Sequence, residues 1–375
     1  MSFVPSQDPD VQQTDPGASS ISRRRFLATS ALLGSGALAS KRLLLGQAGK
    51  APGRIDVHHH FTPQVFLDYM KAHNLSGGFG AWNLEADLAD MDKSGTQTAI
   101  LTITNPGFGQ EPVEDIRKAV RACNEAAAKL QVTYPGRFGS FAALTPADVE
   151  GSLREIEYAL DTLKADGFSL FSNYGDKWLG HPSFAPVYEE LNRRKAVVYV
   201  HPIGNICCTN LLPEVPNEQA MIEFGTDTSR TIADLIFTGA TTRFPDIVWI
   251  FAHGGGTMPF LIERFLVGAT AEILPGIPTK GSTFAPPQHV PRGVLYELRK
   301  LYYDIAQISN PVALQALRSV VPVSQILFGT DYWYRTSEET AKGLTTSRVF
   351  NTAELQAIDR GNAERILPGL PRLQR

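Results

Sequence analysis

The 375-residue sequence has few cysteines, no surplus of charge of either sign and no apolar run long enough to cross a bilayer. Its three cysteines, Cys123, Cys207 and Cys208, are odd in number and two are adjacent, so paired disulfides cannot carry the fold. Stability has to come from a hydrophobic core, for which 43% hydrophobic residues suffice. Lys and Arg number 35 against 38 Asp and Glu, which removes the electrostatic case for nucleic acid and leaves no acidic tail. The length suits two ordinary domains or one large barrel.

The leader differs from the rest. A polar lead is followed by Ser22-Arg23-Arg24-Arg25-Phe26-Leu27 and then the small, apolar stretch Ala28 to Ala39, shorter than the roughly 20 residues that span a membrane. This resembles a twin-arginine export signal, with Ala37-Leu38-Ala39 or Gly46-Gln47-Ala48 as cleavage site. Residues 1–48 are therefore expected to be signal and leader, and 49–375 the folded domain in a periplasmic or extracellular setting. A basic leader that is never cleaved would leave the protein in the cytoplasm.

From Arg54 onward, β-branched or aromatic runs alternate with helical stretches, the pattern of a parallel sheet covered by helices. Eight runs stand out: Ile55 to His59, Thr98 to Thr104, Phe138 to Ala143, Phe168 to Phe171, Ala196 to His201, Ile247 to Ala252, Leu301 to Ile305 and Gln325 to Gly329. Helices are expected over Glu114 to Tyr134, Glu150 to Ala165, Pro186 to Lys195, Ser229 to Phe244, Pro259 to Ala271 and Pro311 to Val321. A doubly wound sheet gives the same local signals, but eight strands with eight crossovers favour a (β/α)8 TIM barrel. From His58 to His201 the four units average about 36 residues, above the roughly 31 of a 250-residue barrel, leaving room for loops that build a site. The segment Phe61 to Gln97, with its Gly77-Gly78-Phe79-Gly80-Ala81-Trp82 stretch, reads as an insertion after strand one, over the barrel mouth.

Three consecutive histidines, His58-His59-His60, end the first strand. Strand side chains alternate faces, so His58 and His60 point together and His59 points away. Two imidazoles projecting from a strand's carboxyl end suit a metal ion; a polar strand terminus is the plain alternative. Further candidates occupy the carboxyl ends of later strands, where barrel enzymes keep catalytic residues: His201 before Pro202, His253 before Gly254-Gly255-Gly256, and Asp331 after Gly329-Thr330. Any one alone reads as a hydrogen-bonded cap; together they make coincidence a poor explanation. Imidazole nitrogen and carboxylate oxygen suit a divalent transition ion such as zinc, with one position open to water or substrate. His58, His60, His201 and Asp331 are the expected ligands. His253, whose ordinary pKa lets it shuttle protons at neutral pH, is the expected acid or base outside the ligand set. Asp304, ending strand seven, is placed to orient a ligand.

Asp56-Val57-His58-His59-His60, His201, His253-Gly254-Gly255-Gly256-Thr257-Met258-Pro259-Phe260, Phe328-Gly329-Thr330-Asp331-Tyr332 and Gly361-Asn362-Ala363-Glu364-Arg365 together resemble the amidohydrolase superfamily. Within it the chain resembles the branch of aminocarboxymuconate-semialdehyde decarboxylase and related aromatic-acid decarboxylases, from Arg54 to Leu370. The stretches Glu157 to Gly167 and Glu190 to Arg194 are most similar to its 6-methylsalicylate decarboxylase-like members. That resemblance implies one divalent metal, zinc or manganese in its place, and a homodimer or higher oligomer. Gly167-Phe168-Ser169-Leu170-Phe171-Ser172 lacks the strand-four lysine that bridges two metals in other members of the superfamily. Arg264 matches an arginine that enters the neighbouring subunit's site in the aminocarboxymuconate enzyme. A second substrate arginine of that enzyme has no counterpart between Asn74 and Trp82, which argues against a dicarboxylate muconate substrate.

The expected reaction is non-oxidative loss of CO2 from a small hydroxyaromatic acid, with the proton delivered by His253 or Asp331. Trp82, Phe108, Tyr174, Trp178 and Trp333 are candidates for the ring slot, although core or rim packing explains each equally well. The rival is hydrolysis of a lactone, ester or amide by activated water, with His253 as proton acceptor. A non-catalytic metal- or carbohydrate-binding barrel is a third class, disfavoured by the intact set of ligands and acid/base.

Overall fold

The computed structural model describes residues 53–75, 82–109, 111–204, 220–266 and 288–370. The leader over 1–48, the stretch Gly77 to Ala81, and Cys207 and Cys208 lie outside the described residues. Eight parallel strands, β1 (Arg54–Phe61), β2 (Thr96–Ile103), β3 (Phe138–Ala143), β4 (Gly167–Phe171), β5 (Val197–His201), β6 (Val248–Phe251), β7 (Tyr302–Asp304) and β8 (Ile326–Leu327), are hydrogen-bonded in that order. Beyond β8 the chain turns onto β1: Val57 N–H donates to Phe328 O (3.0 Å), Asp331 N–H to His58 O (2.8 Å) and His60 N–H to Tyr332 O (3.1 Å). These bonds bring the two edges of the sheet together, the (β/α)8 barrel expected from the spacing. Every residue of β1 is buried, as a strand covered on both faces requires.

The segment after β1 folds into two helices, Gln64–Ala72 and Leu84–Ser94. The second is specified locally: the Asn83 side chain accepts from Ala86 N–H, and Gly95 ends the helix in the left-handed conformation. The helix expected from Ser229 to Phe244 starts earlier and is split, Glu223–Phe237 and Ala240–Arg243, at Gly239. Among the described residues, the one expected from Pro259 is confined to Ile262–Phe265. Strand β8 is shorter than expected because Gln325 belongs to a 3-10 turn, Val323–Gln325.

Apolar side chains divide into the layer between barrel and helices and a floor inside the barrel. The floor includes Ile55, Ile100, Phe141, Val197, Tyr199, Ile250 and Leu327, and packs against Ile366, Leu367 and Leu370 near the C-terminus. The Gly361 to Arg365 motif fastens that seal. Fully buried Asn362 donates through Nδ2 to Val323 O (2.8 Å) and Ile326 O (2.7 Å), and Arg360 donates to Gly53 O at the start of β1 (2.6 Å). We expect Asn362→Ala to leave buried carbonyls unpaired and to lower the unfolding free energy in urea by about 2 kcal/mol. The metal content per folded molecule should not change.

Candidate metal centre

The strand ends bring four of the predicted side chains into one buried cluster. His58 Nε2 lies 3.1 Å from His60 Nε2, which lies 3.3 Å from His201 Nε2. Asp331 Oδ1 is 3.2 Å from His58 Nε2 and 3.1 Å from His60 Nε2. This oxygen is buried and has no hydrogen-bond partner, although two imidazole nitrogens stand beside it. Donor atoms arranged tetrahedrally at about 2.0–2.1 Å around an ion sit about 3.3 Å apart, so the observed spacing fits a shared cation better than hydrogen bonding. His253 joins from β6: ligand atoms of His58, His201, His253 and Asp331 all lie within 4.8 Å of one another. Its Nε2 reaches the other carboxylate oxygen, Asp331 Oδ2 (3.2 Å).

Each imidazole is aimed by a bond at its far nitrogen. His58 Nδ1 pairs with Asp304 Oδ2 (2.8 Å), His60 Nδ1 with Thr102 Oγ1 (3.0 Å), and His201 Nδ1 with Pro202 O (2.7 Å). A carbonyl can only accept, so His201 carries its proton on Nδ1 and presents the Nε2 lone pair to the cluster. Glycines allow the strand ends to close in. A Cβ on Gly329 would stand 2.7 Å from Asp304 Cβ and 2.9 Å from His58 Cβ, and one on Gly256 would meet Gly225 O at 2.1 Å.

Electrostatics divide the cluster into one protonated ring and three groups that offer lone pairs. Burial pulls His58 down, yet the Asp304 and Asp331 carboxylates raise it to about 10. Burial and the neighbouring imidazoles lower His60 and, further, His201. Burial pushes Asp331 up, but the surrounding histidines hold its carboxyl well below the usual range. An ion held by this cluster would displace essentially one proton, from His58.

His59 points to the opposite side of β1, as alternation predicts. The register shifts between Asp56 and His59, so these two residues share a face that strict alternation would deny them. His59 Nδ1 meets Asp56 Oδ2 (2.9 Å) and Nε2 meets Asp87 Oδ1 (2.8 Å), with Tyr332 stacked on the ring at 4.6 Å. Trp82 Nε1 donates to the same Asp87 (2.9 Å), which places the indole behind β1. Phe108 is buried against Phe66 and Tyr69, and the Tyr174 hydroxyl is engaged with Leu144 O (2.8 Å) and Phe171 N (3.1 Å). Trp333 stacks on Tyr334, whose ring lies 6.2 Å from His60. Arg264 is exposed on the Ile262–Phe265 turn and makes no ion pair among the described residues.

Three neighbours of the cluster escaped the sequence reading. Phe224 lies 5.7 Å from His201 and stacks over His253 at 6.4 Å; its helix begins ahead of the expected start. Tyr334 is the chain neighbour of Trp333, the aromatic expected at the slot. Gln307, just past β7, donates to Asp331 Oδ2, and no pattern marked it.

Residues 55–369 match the amidohydrolase family. The chain belongs to that family. It is 36% identical over 336 residues to the decarboxylase macB of Penicillium terrestre, covering 84% of this chain and 95% of that protein. It is also 36% identical to a 6-methylsalicylic acid decarboxylase of Penicillium expansum, over 74% of this chain and 84% of the relative. In fold it is similar to 5-carboxyvanillate decarboxylase from Novosphingobium aromaticivorans, whose crystal structure holds manganese and a nitrobenzoic acid. That likeness has a TM-score of 0.71 at 19% identity, over 86% of this chain and 98% of that one.

With one proton displaced per ion, the apparent metal association constant should rise about tenfold per pH unit between about pH 6 and pH 8. Competition with a chelator at several pH values measures this slope. His60→Ala should lower bound metal to well under one ion per chain by elemental analysis.

Proposed function

We propose that this chain is a metal-dependent, non-oxidative decarboxylase of a small hydroxyaromatic monocarboxylic acid of the 6-methylsalicylate kind. The observation that carries the proposal is the division of labour at Asp331: Oδ1 faces two imidazole nitrogens, of His58 and His60, without a hydrogen bond, and Oδ2 faces His253. The similarity to decarboxylases over most of the chain supports CO2 loss over hydrolysis.

His58, His60, His201 and Asp331 would hold one divalent ion, zinc or manganese, supplying positive charge for the substrate's carboxylate and adjacent phenolic oxygen. His253 is the proposed proton donor to the ring. Asp331 is held ionised by its neighbours, which leaves the imidazole as the better donor. Proton transfer to the carboxyl-bearing ring carbon forms a C–H bond; the C–C bond then breaks, its electron pair returns to the ring, and CO2 departs. Phe224, Tyr334 and Trp333 provide apolar faces for the ring around the cluster. Trp82, Phe108 and Tyr174 are engaged elsewhere, with Asp87, with Phe66 and Tyr69, and with Leu144 and Phe171, and are not assigned to the slot.

Arg264 is assigned to the substrate carboxylate of a neighbouring subunit, which makes the working form a homodimer or higher oligomer. The Arg23-Arg24-Arg25 leader supports export with residues 1–48 removed. No helix among the described residues is long and apolar enough to span a membrane.

The test is a panel of hydroxybenzoates and aryl lactones offered to the metal-loaded protein while CO2 is measured. We expect CO2 from an ortho-hydroxybenzoate; lactone opening without CO2 overturns the reading. His253→Ala should lower kcat by about 10²–10⁴ with metal content retained. Arg264→Ala should raise KM for the same substrate.

A further inference from the structure

We propose that Asp227 is a positioning residue for His201, acting through the turn that follows β5. Asp227 is fully buried on the Glu223–Phe237 helix. Its Oδ2 accepts from Gly204 N–H (2.7 Å), Ile203 N–H (3.3 Å), Ser172 Oγ–H (2.7 Å) and, at longer range, Asn173 Nδ2 (3.4 Å). No lysine or arginine among the described residues pairs with it; its donors are these backbone N–H, hydroxyl and amide groups, all at Oδ2, while Oδ1 is buried without a partner.

Those donors belong to the two strand ends that frame His201. Ser172, just beyond β4, donates from its backbone to His201 O (2.9 Å) and from its hydroxyl to Asp227; that hydroxyl also accepts from Ile203 N–H (3.1 Å). Ile203 and Gly204 follow Pro202, whose carbonyl accepts the Nδ1 proton of His201. Gly204 has φ +71°, a left-handed conformation open to glycine, which turns its N–H to Asp227 Oδ2 while the Pro202 carbonyl faces the imidazole. Asp227 thus grips the turn, the turn fixes the Pro202 carbonyl, and the carbonyl fixes both the tautomer and the tilt of His201. Phe224 lies one helical turn before Asp227, on the same face, and packs on the His201 ring. One side chain therefore locates a metal ligand and an aromatic wall of the site.

This rests on the metal reading of the cluster, and its test separates the two. Metal dissociation constants are measured by chelator competition, and d–d spectra are recorded with cobalt(II), for wild type, Asp227→Asn, Asp227→Ala and Thr231→Val. Thr231 ties the same helix to Ser172 O (3.2 Å) without touching the turn, so its variant controls for loosening of the helix. Asp227→Ala should weaken metal binding about 10- to 100-fold and alter the cobalt spectrum. Asn, which keeps an acceptor for Gly204 N–H, should fall between Ala and wild type. Thr231→Val should lower the melting temperature but keep wild-type affinity and spectrum. Wild-type affinity in a folded Asp227→Ala protein overturns the proposal, as does an equal loss in Thr231→Val. If Asp227→Ala does not fold, an unaltered dissociation constant and spectrum in Asp227→Asn overturn it. A wild-type protein that binds no metal overturns the metal reading together with the role of Asp227.

Discussion

The carboxylate of Asp304 is the point through which the site is assembled. It is fully buried at the end of β7, and its two oxygens serve different parts of the chemistry. Oδ2 pairs with His58 Nδ1 at 2.8 Å; Oδ1 accepts from His253 N–H at 2.9 Å and Ala306 N–H at 3.0 Å. The first bond aims a proposed metal ligand. The others hold the backbone of the proposed proton donor and the turn that carries Gln307 to Asp331. A buried carboxylate costs several kcal/mol unless its lone pairs are filled, and here each filled lone pair fixes one member of the site. Gly329 is part of the same constraint, because any side chain there would collide with the Asp304 and His58 Cβ atoms.

A second polar layer lies behind β1 and keeps that strand in register. Burial opposes a charge on His59, but Asp87 and Asp56 on either side of the ring raise its pKa to about 10. Asp56 also accepts from Thr330 through both N–H (3.1 Å) and Oγ–H (2.6 Å), one residue before Asp331. The strand carrying His58 and His60 and the loop carrying Asp331 are thus tied by Asp56. The histidine triplet serves two faces of one strand, His58 and His60 in the proposed metal site and His59 in the layer that ties β1 to the Thr330 loop.

Much of this was legible in the sequence because it depends on local rules. Parallel strands covered on both sides read as apolar runs, and barrel enzymes place chemistry at strand carboxyl ends, so His58, His60, His201, His253 and Asp331 could be selected by position. The split of His59 from its neighbours followed from side-chain alternation. What local rules do not encode is which distant groups complete each bond. Asp227 and Gln307 act from helix and loop positions where polar residues are ordinary, and Phe224 belongs to a helix whose start carried no capping signal. Trp82, Phe108 and Tyr174 were chosen for being aromatic near loops. Their packing partners, Asp87, Phe66 and Leu144, are set by tertiary contacts that composition does not foretell.

Decarboxylation in deuterium oxide addresses the central claim most directly, because it reads the bond broken, the bond formed and the need for the ion together. Metal-loaded protein is given a 6-alkylsalicylate, and CO2 and the position of deuterium in the phenolic product are measured before and after chelation. The structure predicts one CO2 per product molecule, one deuterium on the ring carbon that bore the carboxylate, and loss of turnover when the metal is removed. Undiminished turnover in the chelated protein, or consumption of the substrate without CO2, would contradict it.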